Sequence, residues 1–164
     1  MELKEIIHHL KISTNFTVNE PCGYPEIVNG HSLPDDLGEF YSICGGLICY
    51  TQHGGFPIEI LQPSDVKISN VVLLRNRYEE DISSSWYLIA DAKDGNFISI
   101  DFEPARLGKC YESFEYSHAV ANNCPVIAIS FTELINNIYK YTGDYFYWKD
   151  NPEFTGYGDA YSYK

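Results

Sequence analysis

The sequence predicts an α+β domain in which a mainly antiparallel sheet is covered by helices. Three observations lead to this prediction. The 164 residues fit one domain of ordinary size with a buried core. Short strand-like segments and tight turns fill the middle of the chain. Amphipathic helix patterns occur near both ends, and no interior linker divides the chain into two parts.

The first element is a short amphipathic helix that is expected to cover the sheet. Its apolar residues recur at i, i+3, i+4 and i+7 and form one stripe. These residues are Leu3, Ile6, Ile7 and Leu10. The stretch 13–33 that follows is rich in proline, glycine and asparagine, which favours an irregular connection rather than a regular element.

A second helix is predicted from Pro34 onward. Proline suits the first helical position, and Asp35 and Asp36 suit the positive end of the helix dipole. Gly45 and Gly46 are expected to end this helix in the manner of a left-handed cap.

Two short strands, 47–51 and 57–61, are expected next, on either side of a turn at 53–55. The segment 63–77 fits helix and strand about equally well. We favour a helix there, because Ser64 and Asp65 are suitable helix caps.

The clearest strand pair is 86–91 with 96–101, because Asp94-Gly95 between the two segments is a preferred centre of a tight hairpin. A third strand is expected at 109–114. The last helix begins at Ser130, where Ser-Phe-Thr-Glu forms a capping box before an apolar stripe. We therefore divide the chain into a domain, 1–143, and a Tyr-rich tail, 144–164, that packs on the domain or at an interface.

Charge and cysteine content limit the possible partners. The chain has 11 Lys and Arg against 23 Asp and Glu, a net charge of −12, which disfavours nucleic acid and anionic membranes as partners. The five cysteines are too few for a disulfide scaffold. No stretch near the N-terminus resembles a secretory signal or a membrane span. We therefore expect a cytoplasmic location.

No catalytic or metal-binding motif is evident. Asp101 and Glu103 share one face of a strand only if the strand continues that far, and Pro104 is expected to end it, so a structural role is favoured. Cys44, Cys49 and His53 lack the paired spacing of a zinc site, which also needs a fourth ligand. The adjacent His8 and His9 do not share a helix face. The sequence thus predicts no enzyme, no metal and no cofactor.

The acidic residues are concentrated in one segment. Nine of them lie between Glu79 and Glu115, against three basic residues, which gives that segment a net charge of −6. If they share one surface, they will attract a basic partner and speed its association. The alternative is an ordinary solvated rim. The candidate partner-binding residues are Glu79, Glu80, Asp81, Asp91, Asp94, Glu103, Glu112 and Glu115.

The order of several short motifs resembles the SUKH superfamily. These motifs are Leu33-Pro34-Asp35-Asp36-Leu37, Phe40 through Gly45-Gly46, 95–101 with Pro104 and Gly108, and 127–134. The resemblance covers roughly 30–140. It implies an α+β fold, and the matching residues have structural roles. These are Pro34, Gly45, Gly46, Gly95, Asp101 and Ser130.

The SUKH superfamily includes bacterial immunity proteins of toxin systems and fungal regulators of cell-wall synthesis. The resemblance therefore implies an immunity protein that binds and neutralises a cognate toxin, and the acidic surface suits a basic nuclease toxin. A regulatory or scaffold module with an endogenous protein partner is the alternative. A small hydrolase is a third possibility, favoured only if titratable groups converge in one pocket. The sequence leaves monomer and weak homodimer open.

Overall fold

A computed structural model of the protein describes residues 1–52, 57–141 and 146–162. In these parts of the chain, seven strands form one antiparallel sheet in sequential order, and five α-helices accompany it. The strands are β1 (Phe16–Val18), β2 (Leu47–Cys49), β3 (Ile58–Ile60), β4 (Trp86–Asp91), β5 (Asn96–Asp101), β6 (Cys110–Phe114) and β7 (Val126–Ala128). The helices are α1 (Leu3–Ile12), α2 (Asp35–Ile43), α3 (Ser69–Leu74), α4 (Phe131–Lys140) and α5 (Tyr147–Asp150). The predicted α+β fold is confirmed.

One face of the sheet carries the main core and is covered by α1, α2 and α4, which also pack on one another. The apolar stripe of α1 is buried as predicted. Ile98 and Ile100 of β5 point to this face, where they join Phe40 of α2 and Phe131 of α4. The rings of Phe40 and Phe131 meet edge to face at 4.9 Å between centroids. Burial of these side chains is the main driving force for this layer.

The opposite face of the sheet has a smaller core built on Trp86. Its ring stacks on Tyr111 with centroids 4.2 Å apart, and Cys124 and Val126 complete the cluster. Tyr161 of the tail packs against this cluster and contacts the edge of Trp86. This face is therefore covered by the β6–β7 loop and the tail rather than by long helices.

The tail pairs with the last strand of the sheet. The Val126 amide donates to the Gly158 carbonyl at 2.8 Å, and the Ala160 amide donates to the Cys124 carbonyl at 2.9 Å. The Asp159 carboxylate accepts the Cys124 amide at 2.8 Å. These bonds satisfy backbone groups that an exposed edge strand would otherwise offer to another chain.

Two three-residue strands, β1 and β7, are absent from the sequence prediction. The prediction of an irregular 13–33 is wrong for β1, which lies within it and pairs with β2. Three residues are too few for a visible alternation of apolar and polar side chains. The predicted turn at 53–55 lies outside the described residues.

The start and the end of α2 also differ from the prediction. Pro34 precedes the helix with extended ψ, and its carbonyl accepts the first helical bond, from Gly38, at 2.9 Å. The helix ends at Ile43, and no left-handed cap follows, since Cys44 is extended. Gly45 is required for another reason: a Cβ there would lie 2.2 Å from the Glu20 carbonyl oxygen.

The remaining element predictions agree with the structure. The favoured helix in 63–77 exists, but it begins at Ser69, and Ser64 and Asp65 lie in a separate 3₁₀ turn. The β4–β5 turn has positive φ at Asp94 and Gly95, as predicted. Ser130 caps α4 by accepting the Glu133 amide at 3.1 Å.

Candidate functional site

The eight predicted partner-binding carboxylates do not form one surface. Asp91, Asp94 and Glu115 lie at the end of the sheet that carries the β4–β5 turn, which we call the turn end. The opposite end, where β4 begins and β5 ends, is the connection end. It carries Glu79, Glu80, Asp81 and Glu103. A strand of six residues separates the two ends by roughly 20 Å, and Glu112 lies between them in β6.

At the turn end, carboxylates outnumber basic groups. Lys93 Nζ lies 3.0 Å from Glu59 Oε2 and 3.2 Å from Asp91 Oδ2. Glu59 is opposite Asp91 in the β3–β4 register and was not among the predicted residues. Asp94 is exposed in the turn. The exposed Glu115 side chain lies over Gly95, close enough that a Cβ there would approach it to 2.5 Å. These five charged side chains sum to −3 at pH 7.

Two aromatic side chains lie beside these carboxylates. Tyr116 is 82% exposed, and its ring meets Phe114 edge to face at 5.3 Å between centroids. An aromatic anchor with charged groups around it is typical of energetically important centres in protein interfaces. We define the acidic turn surface as Glu59, Asp91, Asp94, Glu115 and Tyr116. Sequence analysis missed Tyr116, since only the structure distinguishes this exposed tyrosine from the buried ones.

Two of the four predicted carboxylates at the connection end, Glu79 and Asp81, are engaged within the protein. Glu79 forms an ion pair with Arg77 at 3.4 Å. Asp81 accepts the Ser83 amide at 2.8 Å and the Tyr161 hydroxyl at 2.7 Å. Burial alone would raise the pKa of Asp81, but these bonds lower it below the usual value. Asp81 therefore fixes the tail to the domain and is poorly placed to attract a partner.

Glu112 is buried, unlike the exposed carboxylates at the turn end. It lies under α5, where Lys149 Nζ is 3.1 Å away and the Trp148 indole donates to the carboxylate. The sequence could not indicate this, because the covering residues follow it by more than thirty positions. Its contacts are those of a group that holds the tail.

Asp101 is fully buried and joins several elements at the connection end. Its carboxylate accepts from Arg106 Nε at 2.8 Å, the Ser85 hydroxyl at 2.7 Å and the Tyr111 hydroxyl at 2.9 Å. It also accepts the Glu103 amide at 3.0 Å. The geometry is that of a structural hub, and the Asp101–Glu103 pair does not form an open catalytic site.

A second polar cluster, not visible in the sequence, is buried between α3 and the β6–β7 loop. Asn70 Nδ2 donates to Ser83 Oγ and to the Arg77 carbonyl, both at 2.8 Å. The Asn70 oxygen must therefore accept from His118 Nε2, which lies 2.7 Å away. This arrangement puts the His118 proton on Nε2, and the buried Nδ1 has no hydrogen-bond partner among the described residues.

His118 is expected to make the protein less stable in mild acid. Burial lowers its pKa from 6.5 to about 4, although Asp81 acts in the opposite direction. Between pH 4 and pH 6.5, His118 is therefore protonated in the unfolded chain and neutral in the folded chain. The contribution of His118 to the free energy of unfolding is therefore fully present above pH 6.5. It decreases toward pH 4 by up to roughly 3 kcal/mol.

The pH dependence is measured by urea unfolding at several pH values, with His118→Gln as the comparison. The glutamine amide can still donate to Asn70 but does not titrate. The difference between the two slopes from pH 6.5 to 4.5 isolates His118. Identical slopes would contradict the assignment.

The four buried cysteines are not activated as nucleophiles. Burial raises the pKa of both Cys44 and Cys124 to about 11, and it also raises the pKa values of Cys49 and Cys110. These thiols are therefore protonated at neutral pH and weakly nucleophilic. Within 1–52, 57–141 and 146–162, no group of three or more His, Cys, Asp or Glu side chains is arranged to hold a metal ion. His53, weighed as a zinc ligand, lies outside the described residues.

None of the helices in the described chain has the length and apolar character needed to cross a membrane.

Comparisons with known proteins give two matches. The model of the SMI1 / KNR4 family (SUKH-1) matches residues 26–137. Immunity protein YokJ of Bacillus subtilis (strain 168) is 35% identical over 161 residues, which cover 98% of this chain and 96% of that protein. No solved structure is significantly similar. The similarity to the Bacillus protein thus extends beyond the family model to α1 and to the tail.

Proposed function

Because this chain belongs to the SMI1/KNR4 family (SUKH-1), we propose that it is an immunity protein, which binds a protein toxin and neutralises it. The observation that carries the proposal is the similarity, over nearly its whole length, to a protein named as an immunity protein. The family membership also confirms the resemblance found in the sequence.

Neutralisation by this protein is a matter of binding rather than chemistry. The buried thiols are protonated, and the buried carboxylate Asp101 is fully engaged by hydrogen bonds within the fold. What the protein offers a partner is its surface. An inhibitor of this kind blocks the active site or the substrate groove of the toxin and has no turnover.

The acidic turn surface is the part of the protein that we propose contacts the toxin. Of the eight predicted carboxylates, it holds Asp91, Asp94 and Glu115, and it adds Glu59. Asp94 and Glu115 have no ion pair within the described parts of the chain, so their charges are available to a partner. Tyr116 supplies apolar contact area next to them. The carboxylates steer association, and the aromatic side chain slows dissociation.

A nuclease is the class of toxin that this surface fits best. Enzymes that cleave nucleic acid bind phosphates with Lys and Arg side chains. The four carboxylates of this surface and Lys93 have a net charge of −3, on a chain of net charge −12, and are complementary to such a groove. The immunity protein would then occupy the place of the phosphate backbone, in the cytoplasm where the toxin reaches its target.

The experiment that tests the function is co-expression with the toxin candidate encoded next to this gene. We expect induction of the toxin alone to stop growth and co-expression of this protein to restore it, with a stable complex recovered on purification. The purified toxin should cleave DNA or RNA, and this protein should stop that cleavage at a molar ratio near one.

Rescue without nuclease activity would support immunity and contradict the nuclease assignment. A neighbour that kills regardless of this protein, with no complex formed, would contradict the immunity function. In that case the regulatory alternative would take precedence, and its partner would be sought by pull-down.

A further inference from the structure

The six-residue helix α3 buries two polar side chains and exposes two valines, while Leu73 and Leu74 are half-buried. Ser69 and Asn70 are fully buried, whereas Val71 is 47% exposed and Val72 is also exposed. A surface helix usually turns its apolar side chains inward, so the outward direction of both valines is unusual. An exposed apolar face of this kind marks an interaction surface.

Hydrogen bonds hold α3 in this orientation. Ser69 Oγ lies 2.8 Å from Ser99 Oγ in β5. Asn70 bonds to Ser83, to the Arg77 carbonyl and to His118. If the helix rolled to bury its valines, these polar groups would lose their partners inside the protein, which is unfavourable. The exposed valines are therefore a fixed feature of the fold.

The valines form one wall of an apolar groove. Ile27 and Val28 form the other wall, and Ile68 and Tyr87 also line it, around a cavity of about 360 Å³. The Tyr87 hydroxyl is already occupied, because it accepts the Val28 amide at 3.1 Å and lies 2.8 Å from His31 Nδ1. Because most of its lining is apolar and the Tyr87 hydroxyl is occupied, the groove is well suited to apolar side chains.

The charges around the groove favour a second copy of this chain over a strongly charged partner. Its lining contains two charged residues, Glu26 and Lys67, both exposed, so it is neutral overall. A chain of net charge −12 repels a second copy of itself over most of its surface. At the groove this repulsion is weak, because the groove lining is neutral overall. In a two-fold arrangement each copy meets the same patch, so Glu26 of one copy can face Lys67 of the other.

We propose that the α3 groove is the interface of a homodimer, in which the exposed valines of each copy enter the groove of the other. The groove lies beside Tyr87, near the start of β4. This is the connection end, so the dimer leaves the acidic turn surface free. The dimer is independent of toxin binding, and the small apolar centre makes it a weak one.

The oligomeric state is tested by sedimentation equilibrium from about 1 to 500 µM, a range that spans weak interfaces. We expect a monomer–dimer equilibrium. Val71→Glu should raise its dissociation constant about tenfold or more, since it places a charge in the apolar centre. Val120→Glu is the matched control, because Val120 is 48% exposed in the β6–β7 loop, and it should leave the dimer unchanged.

A charge exchange tests the arrangement directly and does not depend on the valine variant. Glu26→Lys and Lys67→Glu should each weaken the dimer, and the double variant should restore it, because the exchange preserves the pairing between copies. Circular dichroism and thermal unfolding of each variant show that the fold is intact.

A wild-type chain that is monomeric throughout the concentration range would overturn the proposal. So would equal effects of the two valine variants, or a double variant that is weaker than both single ones. If the chain is monomeric and Val71→Glu abolishes binding of the toxin, the groove belongs to the toxin instead.

Discussion

Asp101→Ala is expected to lower the free energy of unfolding by about 3 to 5 kcal/mol, the usual cost of breaking a buried ion pair. The side chain is fully buried and accepts hydrogen bonds from Arg106, Ser85 and Tyr111. Without it, two buried hydroxyls and the half-buried guanidinium of Arg106 lose their acceptor. A domain of this size has only about 5 to 15 kcal/mol of stability, so the loss is a large fraction of the total.

The effect of Asp101→Ala is measured from the midpoint and slope of urea unfolding. Glu115→Ala is the control, because Glu115 is an exposed carboxylate at the other end of the sheet. Its replacement should change stability by less than about 0.5 kcal/mol. A loss below about 1 kcal/mol for Asp101→Ala would contradict the role of a structural hub, since typical single hydrogen bonds contribute that much on their own.

Reversing the charges of Asp94 and Glu115 to Lys is expected to slow association with a basic toxin by about tenfold or more at low salt. The double variant changes the charge of the acidic turn surface by +4. Steering depends on these charges, so the variant should also lose most of the salt dependence of the association rate. Both side chains are exposed and form no ion pair within the described residues. Asp94 has positive φ, where Lys is less favourable than Asp, so circular dichroism and thermal unfolding are used to check that the double variant is folded.

The matched control for this prediction is the reversal of Glu79 and Glu80 to Lys. It makes the same change of net charge at the connection end, where Glu79 is engaged with Arg77. Stopped-flow association at several salt concentrations distinguishes the two pairs. Equal slowing by both would attribute steering to the overall charge of −12, and a larger effect of the control would move the contact surface to the connection end.

The sequence correctly predicted the elements that depend on interactions between residues close together in the chain. The stripe of α1, the Ser130 cap of α4 and the positive φ at Asp94-Gly95 involve residues within about one or two turns of one another. Such patterns act through neighbours in the chain, so they are readable without a fold. Strands β1 and β7 were missed because three residues carry too little pattern.

The acidic segment was recognised in the sequence, but its division between two ends of the sheet was not. Glu112 is buried by Trp148, and Asp81 is bonded to Tyr161, eighty residues away. Whether a carboxylate is exposed depends on what the rest of the chain packs against it. Composition reports the charge and says nothing of its accessibility.

The sequence by itself determined the fold class, the acidic character and the family, since each depends on local pattern or on the residues themselves. Only the tertiary structure decided which charges face solvent and which way α3 presents its valines. Val71 and Val72 read as core residues in a sequence, yet buried bonds from Ser69 to Ser99 and from Asn70 to His118 turn them outward. Contacts between residues distant in the chain set that orientation, because a buried polar group without a partner costs more than an exposed valine.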